Sequence, residues 1–427
     1  MNAEHKSVAF NDLPIELVGA VVSEVVSIGD MLRFRAVNHT IWEFATPRAF
    51  STFHVVNTPG STQGLQEVLN SARLAPLVNH LVVHCEAGPG ENRLLNRDEE
   101  DGESKVVRKA LSRGLSRLYK LPSLTKLDVQ FFSGMVWQSF TNGEDGSMAV
   151  TKPSKYFMLQ TSIVRALATP EPGFTAPVLS SLTMHNLIPF PSPEFSSDAF
   201  ETMLSNLKHL SYTVHGLRFT ARRGEDMWSW FWSEMLPERL LEPAQSSLTS
   251  LKLMSDQPIG HFPTIDLSWL RFPRLTTLTI SGFMFSEQCL MEDFIVHHAP
   301  SLRTLTLDTC PIHIGGTDGA PLRPWSVVYQ RFGDRLTQML QFRTLCRTGW
   351  GLHEEDPRTE FDSSYERCIT GYGYERSKDV KLPFDVLQAD RIALRNLLRS
   401  VNNRRQVRRL PPFPLPELLV PPPRIRA

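Results

Sequence analysis

Cysteine is scarce in this chain: five among 427 residues, at 85, 289, 310, 346 and 368, with no CxxC pair. An odd, scattered set excludes a disulfide framework and the cysteine–histidine ladder of a zinc module, and fits reduced thiols in cytosol or nucleus. Cys85 and Cys310 close apolar strand-like runs and read as small buried hydrophobes. Charge of one sign is lacking too. Lys+Arg and Asp+Glu both number 45, so no overall field draws the chain to nucleic acid or anionic lipid, and neither partner is expected. No apolar run approaches the ~18 residues of a membrane span. The opening MNAEHKSVAF has no signal-peptide core, so the expected location is cytoplasmic, nuclear or both. Catalytic signatures are missing as well: there is no GxxxxGK phosphate cradle, no HExxH and no GxSxG elbow. His297 and His298 are adjacent, but neighbours on a helix diverge by about 100°, and no nearby cysteine completes a metal site. No cofactor or metal is expected, and the chain reads as a non-enzyme.

What is present is ordinary globular material, 41% hydrophobic and 21% charged, with 31 prolines gathered in loops and the tail. Its length allows two or three domains, or one elongated repeat domain with an appended module. The repeat is visible. LVNHLVVHC at 77–85 returns as LTKLDV at 124–129, LSSLTM at 179–184, LKHLSY at 207–212, LTSLKL at 248–253, LTTLTI at 275–280 and LRTLTL at 302–307. Leu248, Leu275 and Leu302 are 27 residues apart, and Leu179 and Leu207 are 28 apart, the period of leucine-rich repeats. The 55 residues between Leu124 and Leu179 suggest two periods, with a degenerate copy at Tyr156–Ala168. Two other gaps read as single periods with insertions near 86–110 and 218–243; NRDEEDGESK at 96–105 is too polar to pack. Early on, Phe53–Val56 reads as a strand, Ser61–Ser71 as a helix and Leu77–Cys85 as a strand. The other reading is a non-repetitive α/β domain with leucine-rich strands.

In an LxxLxL strand the leucines face inward, so alternate residues line an outer face in rows. One row is Asp128, Thr183, Ser211, Lys252, Thr279 and Thr306; a second runs from His84 through Gln130, His185, Thr213, Met254 and Ser281 to Asp308; a third runs from His80 through Lys126, Ser181, His209, Ser250 and Thr277 to Thr304. Asp128, His185, His209 and Lys252 are the binding candidates there. The second insertion packs Trp228, Trp230, Phe231 and Trp232 into five residues. Trp228 and Trp232 are candidate aromatic anchors at the rim, although core packing would give the same pattern.

The N-terminal stretch FNDLPIELVGAVVSEVVSIGDMLRFRAVNHTIWEFATPRAF, residues 10–50, reads as three short helices. Pro14 suits a first turn, Leu17, Val18, Val21, Val22 and Val25 recur at helical spacing, Asp30 and Asn38 are candidate caps, and Pro47 should end the third helix. Three helices this short must lean on something else. Their pattern, LPIEL at 13–17 followed by DMLRFRAVNHTIW at 30–42, resembles the F-box. The resemblance implies docking on the adaptor subunit of a cullin-RING ubiquitin ligase. Leu13, Pro14, Leu17, Val21, Val22, Leu32, Val37 and Trp42 fall where that family has its adaptor-facing or core-forming side chains. Residues 51–310 resemble the irregular leucine-rich-repeat receptors, of the fungal kind, that often follow an F-box.

Beyond Pro311 the repeat fades. Residues 311–403 are expected to cap the array with mixed helix and loop: loop over His353–Asp379, and a helix over Asp390–Val401 with Ile392, Leu394, Leu397, Leu398 and Val401 on its apolar face. Residues 404–427, basic and then proline-rich, are expected to have no fixed fold. Arg404, Arg405, Arg408 and Arg409 suit an import signal, a nucleic-acid patch or simply a solvated helix end. The fold expected is α/β: a three-helix F-box, a leucine-rich-repeat-like solenoid with a parallel sheet, and a helical C-terminal cap. The resemblance implies a substrate-recognition subunit of an SCF-type ligase, binding an adaptor and through it a cullin, with a target protein held by the solenoid. The alternative is a repeat scaffold outside any ligase.

Overall fold

The computed structural model describes residues 13–85, 102–132, 139–142, 148–152, 155–171, 173–174, 178–190, 192–215, 229–260, 263–287, 290–314, 323–347, 358–360, 364–369, 373–376 and 382–413. Three helices open it: α1 (Ile15–Glu24), α2 (Ile28–Phe34) and α3 (His39–Ser51). The cap of α2 is Ser27, whose hydroxyl accepts from the Asp30 N–H at 3.3 Å. The expected cap, Asp30, lies inside the helix and pairs with Arg33. Asn38 caps α3 as expected, its side chain accepting from Ile41 N–H at 2.8 Å. That helix does not stop at Pro47 but runs through it to Ser51. Proline forfeits one backbone bond, and the buried face formed by Ile41, Ala45 and Ala49 holds the helix across the gap.

Helix α3 passes into β1 (Thr52–Val56) with no linker, and α4 (Pro59–Asn70), β2 (His80–His84), α5 (Gly102–Leu115) and β3 (Lys126–Gln130) follow. A hairpin, β4 (Ser139–Asn142) and β5 (Met148–Lys152), precedes α6 (Lys155–Ala168). Then come β6 (Ser181–Leu187), α7 (Asp198–Ser205), β7 (His209–Val214), a π-helix (Phe231–Leu241), β8 (Ser250–Ile259), β9 (Thr277–Phe283), α8 (Met291–His297) and β10 (Thr304–Asp308). The chain closes with β11 (Pro311–His313), α9 (Trp325–Arg335), β12 (Gln341–Arg347), β13 (Arg358–Glu360), β14 (Ser364–Ile369), β15 (Gly373–Arg376) and α10 (Phe384–Val407).

Nine strands, β1-β2-β3-β6-β7-β8-β9-β10-β12, form one all-parallel ladder in chain order, with β13 antiparallel at its end. This α/β layout is consistent with a leucine-rich-repeat-like solenoid. Leu81, Leu127, Leu182, Leu210, Leu251, Leu278, Leu305 and Phe342 stand in register and are all buried, making one spine of the core. A parallel neighbour needs a long return path, and helical segments supply it except between β8 and β9, where the described residues form turns and coil.

The strand entries are tied by a shared-carbonyl ladder. The Asn79 carbonyl accepts from the N–H groups of both Thr125 and Lys126; the Thr125 carbonyl accepts from Ser180 and Ser181; the pattern continues through Ser180, Lys208, Thr249, Thr276 and Arg303 to Leu340 and Gln341. Hydroxyls reinforce it: Ser180 donates to the Thr125 carbonyl at 3.1 Å, Thr249 to Lys208 at 2.9 Å and Thr276 to Thr249 at 3.1 Å. This explains the Ser or Thr after the first leucine of LSSL, LTSL and LTTL.

Four expectations need correction. Lys126 pairs directly with Ser181, so residues 124–179 hold one repeat, not two. Tyr156–Ala168 belongs to α6, which buries Leu159, Ile163, Val164 and Leu167, while the β4–β5 hairpin takes up the extra length. Part of the polar insertion packs: residues 102–115 form α5, with Val107 and Leu111 buried, and residues 86–101 lie outside those described. The span 353–379, expected as loop, contains β13, β14 and β15. The basic run from Arg404 is neither tail nor loose surface. Arg404 donates to the carbonyls of Gly333 (2.8 Å) and Met339 (3.4 Å), Arg405 to those of Leu340 (3.1 Å) and Pro411 (2.7 Å), and Arg408 to the Gln338 side chain (2.6 Å), fastening α10 to the last repeat. Residues 414–427 lie outside those described, and among the described residues no helix is long and apolar enough to cross a membrane.

The cap is locked by Asp390, buried on α10. Its carboxylate accepts from the Ser326 N–H at 2.6 Å and the Tyr365 hydroxyl at 2.5 Å, and that hydroxyl accepts from the Trp325 N–H at 3.0 Å. A residue from one helix thus caps the start of another. Burial pushes the Asp390 carboxyl above its usual range against the pull of these bonds. Removing both acceptors strands buried donors at about 1–3 kcal/mol each. Asp390→Ala should therefore lose about 2–4 kcal/mol in urea unfolding, and the cap, not the N-terminal repeats, should become protease-sensitive first.

His298 gives the fold a pH limit. Its Nε2 accepts from the Phe272 N–H at 3.0 Å while Nδ1 donates to the Phe294 carbonyl at 2.7 Å, a pattern only the neutral ring can make. Burial pushes its pKa down to about 4, with Arg271 and His297 adding to the shift against the Phe294 bond. The unfolded ring takes a proton near the ordinary value of about 6.5. Stability is thus fully present above that value and is lost as pH falls toward 4, by roughly 3 kcal/mol for a shift of this size. Thermal unfolding at stepped pH should show this slope, and His298→Gln should flatten it.

Candidate functional surfaces

Among the described residues, two surfaces bear on function once the core is assigned. The first is on the N-terminal helices. Val18, Val22, Met31, Ile41, Ala45 and Ala49 form their common core, with Leu13, Val25, Phe34, Phe44 and Phe50 half-buried around it. On the other side, Leu17 is 51% exposed and Val37 62%, and Ile15, Val21, Val26, Ile28 and Leu32 are exposed as well. Large apolar side chains grouped this way in solvent mark an interaction surface. Of the residues named from sequence, Pro14, Leu17, Val21, Leu32 and Val37 face outward and Leu13 lies at the margin. Val22, at 1% exposure, is core. Trp42 belongs to the joint with the first repeat, where the Arg73 guanidinium lies 3.5 Å from its ring centroid and Arg35 lies 5.8 Å away. Ile15, Val26 and Ile28 were missed. In α1 the stripes Leu17/Val21 and Val18/Val22 stand side by side, and sequence alone does not say which one faces inward; here α3 takes the second.

The second surface is the outer face of the parallel sheet. The row from His80 to Thr304 and the row from Asp128 to Thr306 stand in register across the strands as the alternation predicts. The remaining row does not stay open. Its register slips after Met184, where Asn186 adopts a φ of 56°, and beyond that point Thr213, Met254, Ser281 and Asp308 are all buried, with Asp308 only 3% exposed. Gly282 helps close this side: at φ 78°, a Cβ there would stand 2.5 Å from the Ser255 carbonyl oxygen. The open floor is therefore the strand-entry half of the sheet.

Asp128, His185, His209 and Lys252 all lie on this face, on the four neighbouring strands β3, β6, β7 and β8. Their settings differ. Asp128 is held by His80 at 2.9 Å, and His185 lies 3.5 Å from the Thr213 hydroxyl. His209 is exposed and Lys252 half-buried. At the N-terminal end, His54 Nδ1 and His84 Nε2 are 3.1 Å apart with rings nearly parallel. Burial first, then the charges of His84 and His80, hold the His54 pKa below its usual value. Beyond the last open row, His215 pairs with Asp256 at 3.0 Å.

The tryptophan anchor fails at Trp232. That ring is 1% exposed and packs edge-on against Phe283 and Phe231 inside the core. The π-helix is the return element of its repeat, so its inner face must be apolar. Trp230 is half-exposed and bonded to Glu234, and Trp228 lies outside the described residues. Burial pushes the Cys310 thiol far up, away from thiolate character. His297 bonds the Ser268 carbonyl at 3.0 Å. Among the described residues, no group of three or more His, Cys, Asp or Glu is placed to hold a metal ion. No protein-family model matches the chain, and no curated protein matches it at a significant level.

Proposed function

We propose that this chain is the substrate-recognition subunit of an SCF-type cullin-RING ubiquitin ligase, an F-box joined to a leucine-rich-repeat-like solenoid. The observation that carries this reading is the apolar face on α1 and α2: Leu17, Val21, Ile28 and Leu32 point to solvent while the opposite face of the same helices is already satisfied by α3. Such a face needs a partner, and the adaptor implied by the LPIEL pattern is of that kind. The outer face of the parallel sheet would hold the target protein. The mechanism is proximity: the chain raises the local concentration of a target lysine near a charged conjugating enzyme bound elsewhere in the complex. On this reading the protein works in cytoplasm or nucleus and supplies no catalytic residue of its own.

One observation favours a second reading, a repeat scaffold whose helices only cap the array. The α3–β1 continuity and the Trp42–Arg73 stack place the three helices against the first repeat. A cap alone, however, leaves the Leu17 and Leu32 face in water. Leu17→Glu with Leu32→Glu should cut adaptor co-purification more than tenfold, as loss of central interface anchors does, and leave thermal unfolding nearly unchanged. Val22→Ala should instead destabilise the helices by about 1–3 kcal/mol. Undiminished adaptor recovery with the double glutamate variant would refute the ligase role.

A further inference from the structure

We infer that the outer face of the parallel sheet takes an extended, Asp/Glu-rich segment of a target protein, laid across the strands. This rests on the reading of that face as the target site and names the chemistry it accepts. The two open rows from β6 to β10 comprise ten positions, of which eight are Ser or Thr and the others are His209 and Lys252. No aliphatic or aromatic side chain interrupts this floor. It offers hydrogen bonds and positive charge, with nothing to bury a greasy side chain.

Three carboxylates on the face are already engaged. Asp128 holds His80, Asp256 holds His215, and buried Asp308 accepts from the Thr309 hydroxyl at 3.0 Å. The cations are a different matter. Lys126 on β3 and Lys252 on β8, with Lys208 and Arg303 at the strand entries just before β7 and β10, have no side-chain partner among the described residues. All are exposed except half-buried Lys252. Neighbouring parallel strands are about 4.8 Å apart, so the line from Lys126 to Arg303 spans about 24 Å, the reach of a seven- or eight-residue extended segment.

The arrangement distinguishes among anions. A phosphate is held best by donors that converge on one point, whereas these cations stand one or more strands apart and do not converge. Carboxylates on alternate residues of an extended peptide, about 7 Å apart, fall between the one-strand and two-strand separations of these single charges. Nucleic acid would need aromatic faces for its bases, and the open rows contain none.

The test is fluorescence anisotropy on the full chain, with no adaptor present. The probes are labelled peptides of about ten residues, a length set by the estimated span: one alternating Glu and Ser, its Gln/Ser counterpart, one in which the same net charge is gathered on phosphoserines, and a single-stranded RNA of similar length. The Glu/Ser peptide should bind with a Kd of about 10–100 μM and weaken several-fold between about 50 and 300 mM salt, as exposed ion pairs do. Lys126→Glu with Lys252→Glu should weaken it tenfold or more, and the gentler Lys126→Gln with Lys252→Gln by less. Lys109→Glu, on the outer helix α5, should leave it unchanged. Equal binding of the Gln/Ser peptide, tighter binding of the phosphoserine peptide or the RNA, or indifference to both double variants would overturn the inference. Because adaptor capture is read separately, lost peptide binding with capture intact refutes this inference alone, and the reverse result refutes the ligase role alone.

Discussion

From β3 onward, each parallel strand enters the sheet on a carbonyl of the preceding repeat that two of its N–H groups share, and the stack depends on that contact. It fixes where one repeat sits on its predecessor before any side chain packs. Once Asn79, Thr125, Ser180 and their successors are aligned, the leucines two residues on must stand in one spine. Loop length then becomes free. Return paths of very different length rejoin at the same point because the entry contact is indifferent to what lies between, and loop-closure entropy rises only slowly with added residues.

That indifference explains what the sequence could and could not reveal. The spacing of Leu248, Leu275 and Leu302 disclosed the repeat because their return paths are minimal. Between Leu124 and Leu179 the length alone suggested a missing copy, yet a hairpin can be inserted at no cost to the register, and β3 meets β6 regardless. The polarity of residues 102–105 argues against packing, although a helix needs only one apolar stripe, here Val107 and Leu111. The strands at 358–376 were hidden because they are short, and polar composition there says loop more loudly than pairing does.

The candidate surfaces were legible in the same partial way. Period two gave the outer rows correctly at the strand entries, where the backbone is regular, and misjudged the exits, where Asn186 and Gly282 bend it and the row closes over. Helical period placed apolar residues on α1 but left two adjacent stripes as equal candidates for the core. Tryptophan density pointed to a binding rim because an amphipathic return helix and an exposed anchor share one composition; only burial separates Trp232 from Trp230. Asp390 gave no sequence signal at all, since its partners, Ser326 and Tyr365, are far away in the chain.

The ladder is a one-dimensional lattice, and such a lattice has no intrinsic length. Any parallel edge with its entry carbonyl unclaimed is a growth site for the next unit, whether that unit comes from the same chain or another. Here growth is stopped by a change of strand sense: β13 pairs antiparallel with β12 and breaks the translation that every earlier repeat obeyed. At the other end α3 runs without interruption into β1, so the first strand arrives already attached to helices. The number of repeats in this protein is therefore a property of its two terminators rather than of the repeating unit.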